Sequence, residues 1–199
     1  MPPRSRRRRW ARPGRQCAGE NIDKVYIATG ENFPDALAGA APAARDGYPI
    51  LLVKENNLPG ATSMELNRLN PREIVVLGGP AAVSDAVYNK LKPYAGAISR
   101  MGGRTLYATA ALISQQHYAP GVDRVYVTTG ANFPDALSGV PVAGMQGAPI
   151  LLVPKEGVPS SVATELRRLQ PNSMTILGGE VAVPAEVERQ LRAVLDGSS

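Results

Sequence analysis

The chain has 199 residues, of which 44% are hydrophobic and only 5% aromatic, with a formal net charge of +5. That length holds one or two domains, and their cores must be packed mainly by Val, Ile, Leu and Ala. No uninterrupted apolar run approaches the ~20 residues that a membrane-spanning helix needs.

The charge is unevenly placed. Residues 1–20 carry Arg4, Arg6, Arg7, Arg8, Arg9, Arg12 and Arg15 against a single acid, and the remainder has 15 basic and 16 acidic residues. A nucleic-acid surface needs a basic face on the folded part, and none is visible. Residues 1–21 read as a disordered basic tail. The Arg-rich start lacks the apolar run of ~7–15 residues that a secretion signal places after it; Trp10 to Gln16 stands there instead. The single cysteine, Cys17, has no partner for an internal disulfide.

From Asp23 onward the chain says the same thing twice, one hundred residues apart. Asp23-Lys24-Val25-Tyr26-Ile27-Ala28-Thr29-Gly30 returns as Asp123-Arg124-Val125-Tyr126-Val127-Thr128-Thr129-Gly130. Asn32 to Leu37 returns unchanged as Asn132 to Leu137, and Ile50-Leu51-Leu52-Val53 as Ile150 to Val153. Leu77-Gly78-Gly79 returns as Leu177-Gly178-Gly179. A unit of this length is too long for a solenoid repeat and has the size of a small domain. We expect repeat 1 over 22–96, repeat 2 over 97–195, and a tail over 196–199.

In chain order, the first copy runs from Asp23 to Leu91 as strand, helix, strand, helix, strand, helix. Gly96 to Met101 reads as a short connecting strand and Gly102-Gly103 as a turn. Arg104 to His117 has the spacing of a helix. Val125 to Thr129 is a β-rich strand. Asn132-Phe133-Pro134-Asp135 opens a helix, with Pro favoured in the first turn and the acid at the positive end of the dipole. Pro149 to Val153 has the continuous apolar character of a strand buried on both faces. Pro159 to Leu169 is a helix with Val162, Leu166 and Leu169 inward. Met174 to Leu177 is a strand, and Pro184 to Leu195 an amphipathic helix with Val187, Leu191 and Val194 on one face. This alternation predicts an α/β fold of tandem repeats, each a small parallel sheet flanked by helices. The first copy has the Arg-rich tail where the second has its opening helix.

These motifs, in fixed order over residues 22–195, resemble the cell-wall-binding repeat type 2 family of Gram-positive bacteria. They are the turn and helix around Arg100, Gly103, Arg104, Tyr107, Thr109 and Ala110, the strand ending in Thr129-Gly130, Asn132 to Leu137, the Pro149-Ile150-Leu151-Leu152-Val153 strand, and Leu177-Gly178-Gly179. The resemblance implies Toprim-like or flavodoxin-like modules that associate in threes. It also implies an extracellular, cell-wall location and non-covalent attachment to an anionic wall polysaccharide or teichoic-type polymer. Against that pattern the chain has two modules and no effector region, such as an amidase or protease domain, so it reads as a fragment of a larger protein.

The candidate ligand-binding residues are Asn32, Asp35, Gly78, Gly79, Arg100 and Arg104, with Asn132, Asp135, Gly178 and Gly179 in the second copy. Asp35 and Asp135 follow a strand, where parallel α/β sheets place ligands; helix-start electrostatics accounts for them equally. The glycines suit an anion-binding loop of backbone amides or a tight turn. Arg100 and Arg104 form a local basic cluster, read either as a solvated face or as weak contacts to an acidic polymer that repetition makes effective. His117 is the only histidine and has no counterpart in the first copy, so no Ser-His-Asp set, Cys-His pair or zinc site fits both copies. We expect no catalytic residues, no metal and no cofactor, self-association through open module faces, and a binding rather than enzymatic role. The rivals are the wall-binding part of a larger wall hydrolase and a metal-dependent Toprim-like hydrolase using Asp35 or Asp135.

Overall fold

A computed structural model describes residues 21–31, 34–130 and 134–197, with the backbone alone at 134–138. Residues 1–20 of the basic tail, where an opening helix of the first copy would fall, and Asn32 and Asn132 lie outside the described residues.

The first copy contributes β1 (Lys24–Thr29), α1 (Pro34–Asp46), β2 (Ile50–Val53), α2 (Gly60–Leu69), β3 (Glu73–Leu77) and α3 (Asp85–Leu91). β4 (Ala97–Met101) and α4 (Leu106–His117) follow. The second copy continues as β5 (Arg124–Thr129), α5 (Pro134–Gln146), β6 (Ile150–Val153), α6 (Ser160–Leu169), β7 (Ser173–Leu177) and α7 (Ala185–Leu195). All strand pairings between these elements are parallel. One sheet has the order β2-β1-β3-β4, the other β6-β5-β7.

The internal repeat extends to the hydrogen-bond register. Tyr26 faces Ile50 across the first sheet as Tyr126 faces Ile150 across the second, and Val25 faces Ile74 as Val125 faces Met174. Local chemistry explains the shared boundaries. Pro59 and Pro159 stand immediately before α2 and α6, with the extended backbone of a helix-starting residue. Asn70 and Gln170 end the same helices in the left-handed region.

Alternation along each strand divides the core into three. Val25 and Ile27 of β1 join Leu66, Leu69, Val87 and Leu91 beneath the first sheet. Val125 and Val127 of β5, with Leu151 and Val153 of β6, join Val162, Leu166 and Leu191 beneath the second. The third cluster belongs to both repeats: Tyr26, Ala28, Val75 and Leu77 meet Ala110 and Ile113 of α4 and Ile150 and Leu152 of β6. Small residues let α1 and α5 approach closely there. A Cβ on Gly144 would lie 2.7 Å from Cβ of Ala44, so a side chain at 144 forces the helices apart.

The expected inward residues of the two later helices are buried: Val162, Leu166 and Leu169 at 0%, Val187 and Leu191 at 0% and Val194 at 9% exposure. The apolar strand behaves differently in its two copies. Leu152 is fully buried, whereas Leu52 is 47% exposed. α4 packs on β6, together with α1 and α6; among the described residues no helix stands over β2 in α4's place.

The connecting strand falls on the first copy's side by pairing. β4 lies beside β3, with Leu77 opposite Met101, while its continuation α4 packs against β6 and α6 of the second copy. Chain order therefore crosses from one sheet to the other at the Gly102-Gly103 turn.

Candidate functional site

The first copy's candidate residues meet at the carboxyl ends of β1, β3 and β4. β1 delivers the chain through Gly30 to α1, whose first turn carries Asp35. β3 ends at Gly78, which has φ +94° and is buried. Its amide donates to the carbonyl of Met101 at 2.7 Å, locking the β3 turn to the end of β4.

Glycine is demanded at Gly78 by torsion and contact, and at Gly102 by contact. A side chain on Gly78 would collide with the carboxylate of Asp35 and lie 2.8 Å from Cβ of Ala82. One on Gly102 would lie 2.5–2.6 Å from the backbone of Gly78 and Gly79. The two turns are thus pressed together, backbone on backbone, with Asp35 against the first of them.

The next helix closes the wall. Thr105 caps α4, accepting from the amide of Ala108. One turn on, the hydroxyl oxygen of Thr109 accepts the amide of Gly103 at 3.0 Å. The same hydroxyl is the hydrogen-bonding neighbour of the Asp35 carboxyl group. Oδ1 of Asp35 is buried and has no hydrogen-bond partner among the described residues. Burial pushes this carboxyl up to about 6, and the Thr109 hydrogen bond only partly offsets that.

Arg100 is brought here too, but its head turns inward. Nη1 donates to the carbonyls of Gly78 at 3.1 Å and Val83 at 2.8 Å, and Nη2 pairs with Asp85 at 3.2 Å. Its guanidinium stacks on Tyr88, 4.9 Å from the ring centroid. It braces the Gly78 turn from behind. Arg104, just past Gly103, is exposed.

The second copy repeats part of this. Asp135 opens α5 as Asp35 opens α1, and Gly178 has φ +103°. Gly178 and Gly179 are exposed, and a side chain on Gly179 would meet nothing within 4 Å, whereas one on Gly79 would meet the Gly103 carbonyl at 3.5 Å. The second sheet has no strand in β4's place among the described residues.

Gly102 and Thr109 were not among the sequence candidates. One signal was present: β4 ends in Gly102-Gly103 as β3 ends in Gly78-Gly79, two Gly-Gly pairs at neighbouring strand ends.

Among the described residues, no group of three or more His, Cys, Asp or Glu is placed to hold a metal ion. Nor is any helix long and apolar enough to cross a membrane. This candidate site, a cup at the sheet end, consists of one largely buried carboxyl, one hydroxyl and two Gly-Gly turns packed against each other.

Fold and candidate site together describe a tandem α/β repeat protein with a buried carboxyl and paired glycine turns at one sheet end. The profile of Cell wall binding domain 2 (CWB2) matches residues 15–88 and 100–188, so the chain belongs to that family of cell wall binding domains. It is 32% identical over 171 residues to the amidase enhancer of Bacillus subtilis (strain 168), covering 86% of this chain and 23% of that protein. It is 28% identical over 176 residues to N-acetylmuramoyl-L-alanine amidase LytC of the same organism, covering 88% of this chain and 34% of the other. The chain therefore spans about a quarter to a third of the curated relatives it matches. Among solved structures it superimposes on Cwp6 from Clostridium difficile with a TM-score of 0.78 and 27% identity, over 87% of this chain and 28% of that one. Cwp8 from the same organism has a TM-score of 0.76 at 23% identity, over 88% and 30%. The α/β repeat fold and the wall-binding class agree with the resemblance drawn from the motifs.

Proposed function

We propose that the two repeats attach a larger extracellular protein to the wall without turnover, by holding an anionic wall glycopolymer in the cup at Asp35. The observation that carries this is the unpartnered, buried Oδ1 of Asp35 beside Gly78 and Thr109. A buried polar atom left without a partner costs free energy that a ligand hydroxyl would recover. Sugar hydroxyls are suited to such an acceptor, and the glycine backbones allow a polymer to lie close. Arg104 stands on the rim, where it would meet the polymer's charge. In the second copy Asn132, Asp135, Gly178 and Gly179 would form the weaker twin, with Asn32 completing the first. Two weak sites on one chain yield avidity.

The amidase and amidase enhancer among its relatives support a second, compatible reading: this chain is the wall-holding part of an amidase-related protein. A metal-dependent hydrolase centred on Asp35 has less support, because among the described residues no group of three or more His, Cys, Asp or Glu is placed to hold a metal ion.

The test is retention on purified Gram-positive walls through a salt series, with the unaltered chain and the Asp35→Ala variant. Retention should weaken steadily with salt, since exposed charge contacts are screened, and the variant should elute earlier throughout. Retention that persists in molar salt would sink the charge-based mechanism. Equal retention of the variant would remove Asp35 from the site.

A further inference from the structure

One ion pair occurs in both repeats, in two different settings. In α2, Arg68 grips the Glu65 carboxylate with two hydrogen bonds, of 2.8 and 2.6 Å, and the side chains are 43% and 36% exposed. In α6, Arg168 grips Glu165 with the same fork, both bonds at 2.7 Å, but Glu165 is at 0% exposure. α4 makes the difference. It packs against α6, and its Ser114, itself buried, donates its hydroxyl to Oε1 of Glu165. Arg168 reaches further and donates to the carbonyl of Tyr118 at 2.8 Å, at the carboxyl end of α4.

α4 has a physical need for such a fastening. From Leu106 to Ile113 it is apolar or small on nearly every side, with Ala108, Ala110 and Ala111 among its residues. Alanine contacts on several faces change little when a helix turns or slides, so they fix its place poorly. Buried polar contacts are directional, and setting register is their best-attested use. α4 has two of them. The Thr109 hydroxyl meets the Gly103 amide and the Asp35 carboxyl, and the Ser114 hydroxyl meets Glu165. Five residues apart, they stand about 140° around the helix axis from one another and about 7.5 Å along it. Two pins at different angles and depths set both the rotation and the depth of the helix.

We propose that Glu165 is a positioning residue for the cup: a side chain of the second repeat that sets, through Ser114 and Arg168, where α4 holds Thr109 against Asp35 and Gly103. Its importance for wall binding rests on the reading of the cup as the polymer's seat; the geometry it controls does not. Glu65 has no such role, since α4 leans on α6 and not on α2.

The experiment uses NMR on the full chain to follow the exchange of the Gly103 amide and the titration of the Asp35 carboxyl, beside retention on walls. The variants are Ser114→Ala, Glu165→Met, which keeps the volume without the polar atoms, and Glu165→Gln, which keeps an oxygen for Ser114. Glu65→Gln is the control. In Ser114→Ala and Glu165→Met the Gly103 amide should exchange about tenfold faster or more, with far smaller changes at Val125 to Val127 of β5. Burial is the larger influence on Asp35, so a loosened α4 that admits water should let this carboxyl titrate nearer its ordinary 3.8. Both variants should elute from walls earlier than the unaltered chain. Glu165→Gln should show less than half of each change, and Glu65→Gln none. An unchanged Gly103 amide and Asp35 titration in Ser114→Ala overturns the proposal. So does equal acceleration at Gly103 and in β5, which would make Glu165 a general stabiliser, or the same effect from Glu65→Gln. Altered Gly103 and Asp35 with unaltered retention would uphold the positioning and count against the polymer's seat in the cup. Should Glu165→Met fail to fold, Ser114→Ala and Glu165→Gln carry the same contrast.

Discussion

Thr109 lies against the carboxyl of Asp35, although one belongs to the helix that opens the second repeat and the other to the first helix of the first. The cup is therefore not the property of one repeat. Asp35 and Gly78 come from the first sheet, and Gly102, Gly103 and Thr109 from the crossing between sheets. A single repeat cut from the chain at residue 97 would lose half of its own cup.

Replacing Asp35 by Asn should stabilise the chain at neutral pH and weaken wall binding. Burial pushes the carboxyl from its ordinary 3.8 up to about 6 in the folded chain. The folded state thus binds the proton more tightly. That contribution is fully present below about pH 4 and is lost as pH rises through about 6. Above this the wild-type chain carries a buried charge that Asn lacks, worth on the order of 2 kcal/mol. Urea unfolding at several pH values checks it: the variant's advantage should be present at about pH 7 and absent at about pH 4. No pH dependence in the difference would mean that Asp35 is well solvated.

Much of this was legible in the sequence, and the illegible part has a physical cause. The hundred-residue offset implied two alike parallel α/β repeats, and their shared register follows because strands with the same apolar alternation meet their neighbours alike. Asp35 and Gly78 were visible because each stands at a strand end. Thr109 stood in the motif, but its contact with Asp35 was not legible, because that depends on where α4 goes after the Gly102-Gly103 turn. Nor was the fate of Arg100, whose place in a basic cluster with Arg104 suggested a ligand contact. Its bonds to Gly78 and Val83 arise from β4 pairing with β3, a contact across the sheet that local spacing does not encode.

Gly102→Ala should destabilise the chain by about 1–3 kcal/mol, the range for forced overpacking. The clash is with backbone atoms of Gly78 and Gly79, which have no rotamer to yield. Gly179→Ala, with nothing within 4 Å of the added carbon, should be close to neutral. Parallel denaturant titrations would show the contrast. A mild Gly102→Ala would mean that the two turns separate easily.

His117 should make the seam between repeats sensitive to acid. Its Nε2 lies 3.3 Å from the Tyr26 hydroxyl, and its carbonyl accepts Nη1 of Arg45 at 2.8 Å. Burial first, and then the Arg45 charge, hold the imidazole below its usual pKa, while Asp46 and Glu73 pull the other way and Lys24 adds to Arg45. The unfolded chain therefore takes up a proton in a range where the folded one does not, and stability from this group falls as pH drops through about 6.5. His117→Gln should flatten that loss. Because Asp35 acts in the opposite direction, the two are separable only in the single variants.

The packing of the two repeats is heterologous, and such contacts leave complementary faces open. Arg45 of α1 stacks on Tyr118, 4.9 Å from its ring centroid. The matching position on α5 is Met145, 84% exposed, and the matching face of the first copy shows Leu52 at 47%. Exposed apolar groups of this kind favour association. Sedimentation should show concentration-dependent self-association, reduced by Met145→Glu or Leu52→Gln. A clean monomer at high concentration would mean that two repeats satisfy each other.

The central claim is that the repeats hold a secondary polymer of the wall. Co-sedimentation with purified Gram-positive walls, before and after acid extraction of those polymers, tests it most directly. The account predicts that the chain pellets with intact walls and stays in solution with the extracted peptidoglycan, and that adding back the extracted polymer competes. Undiminished binding to bare peptidoglycan would contradict it.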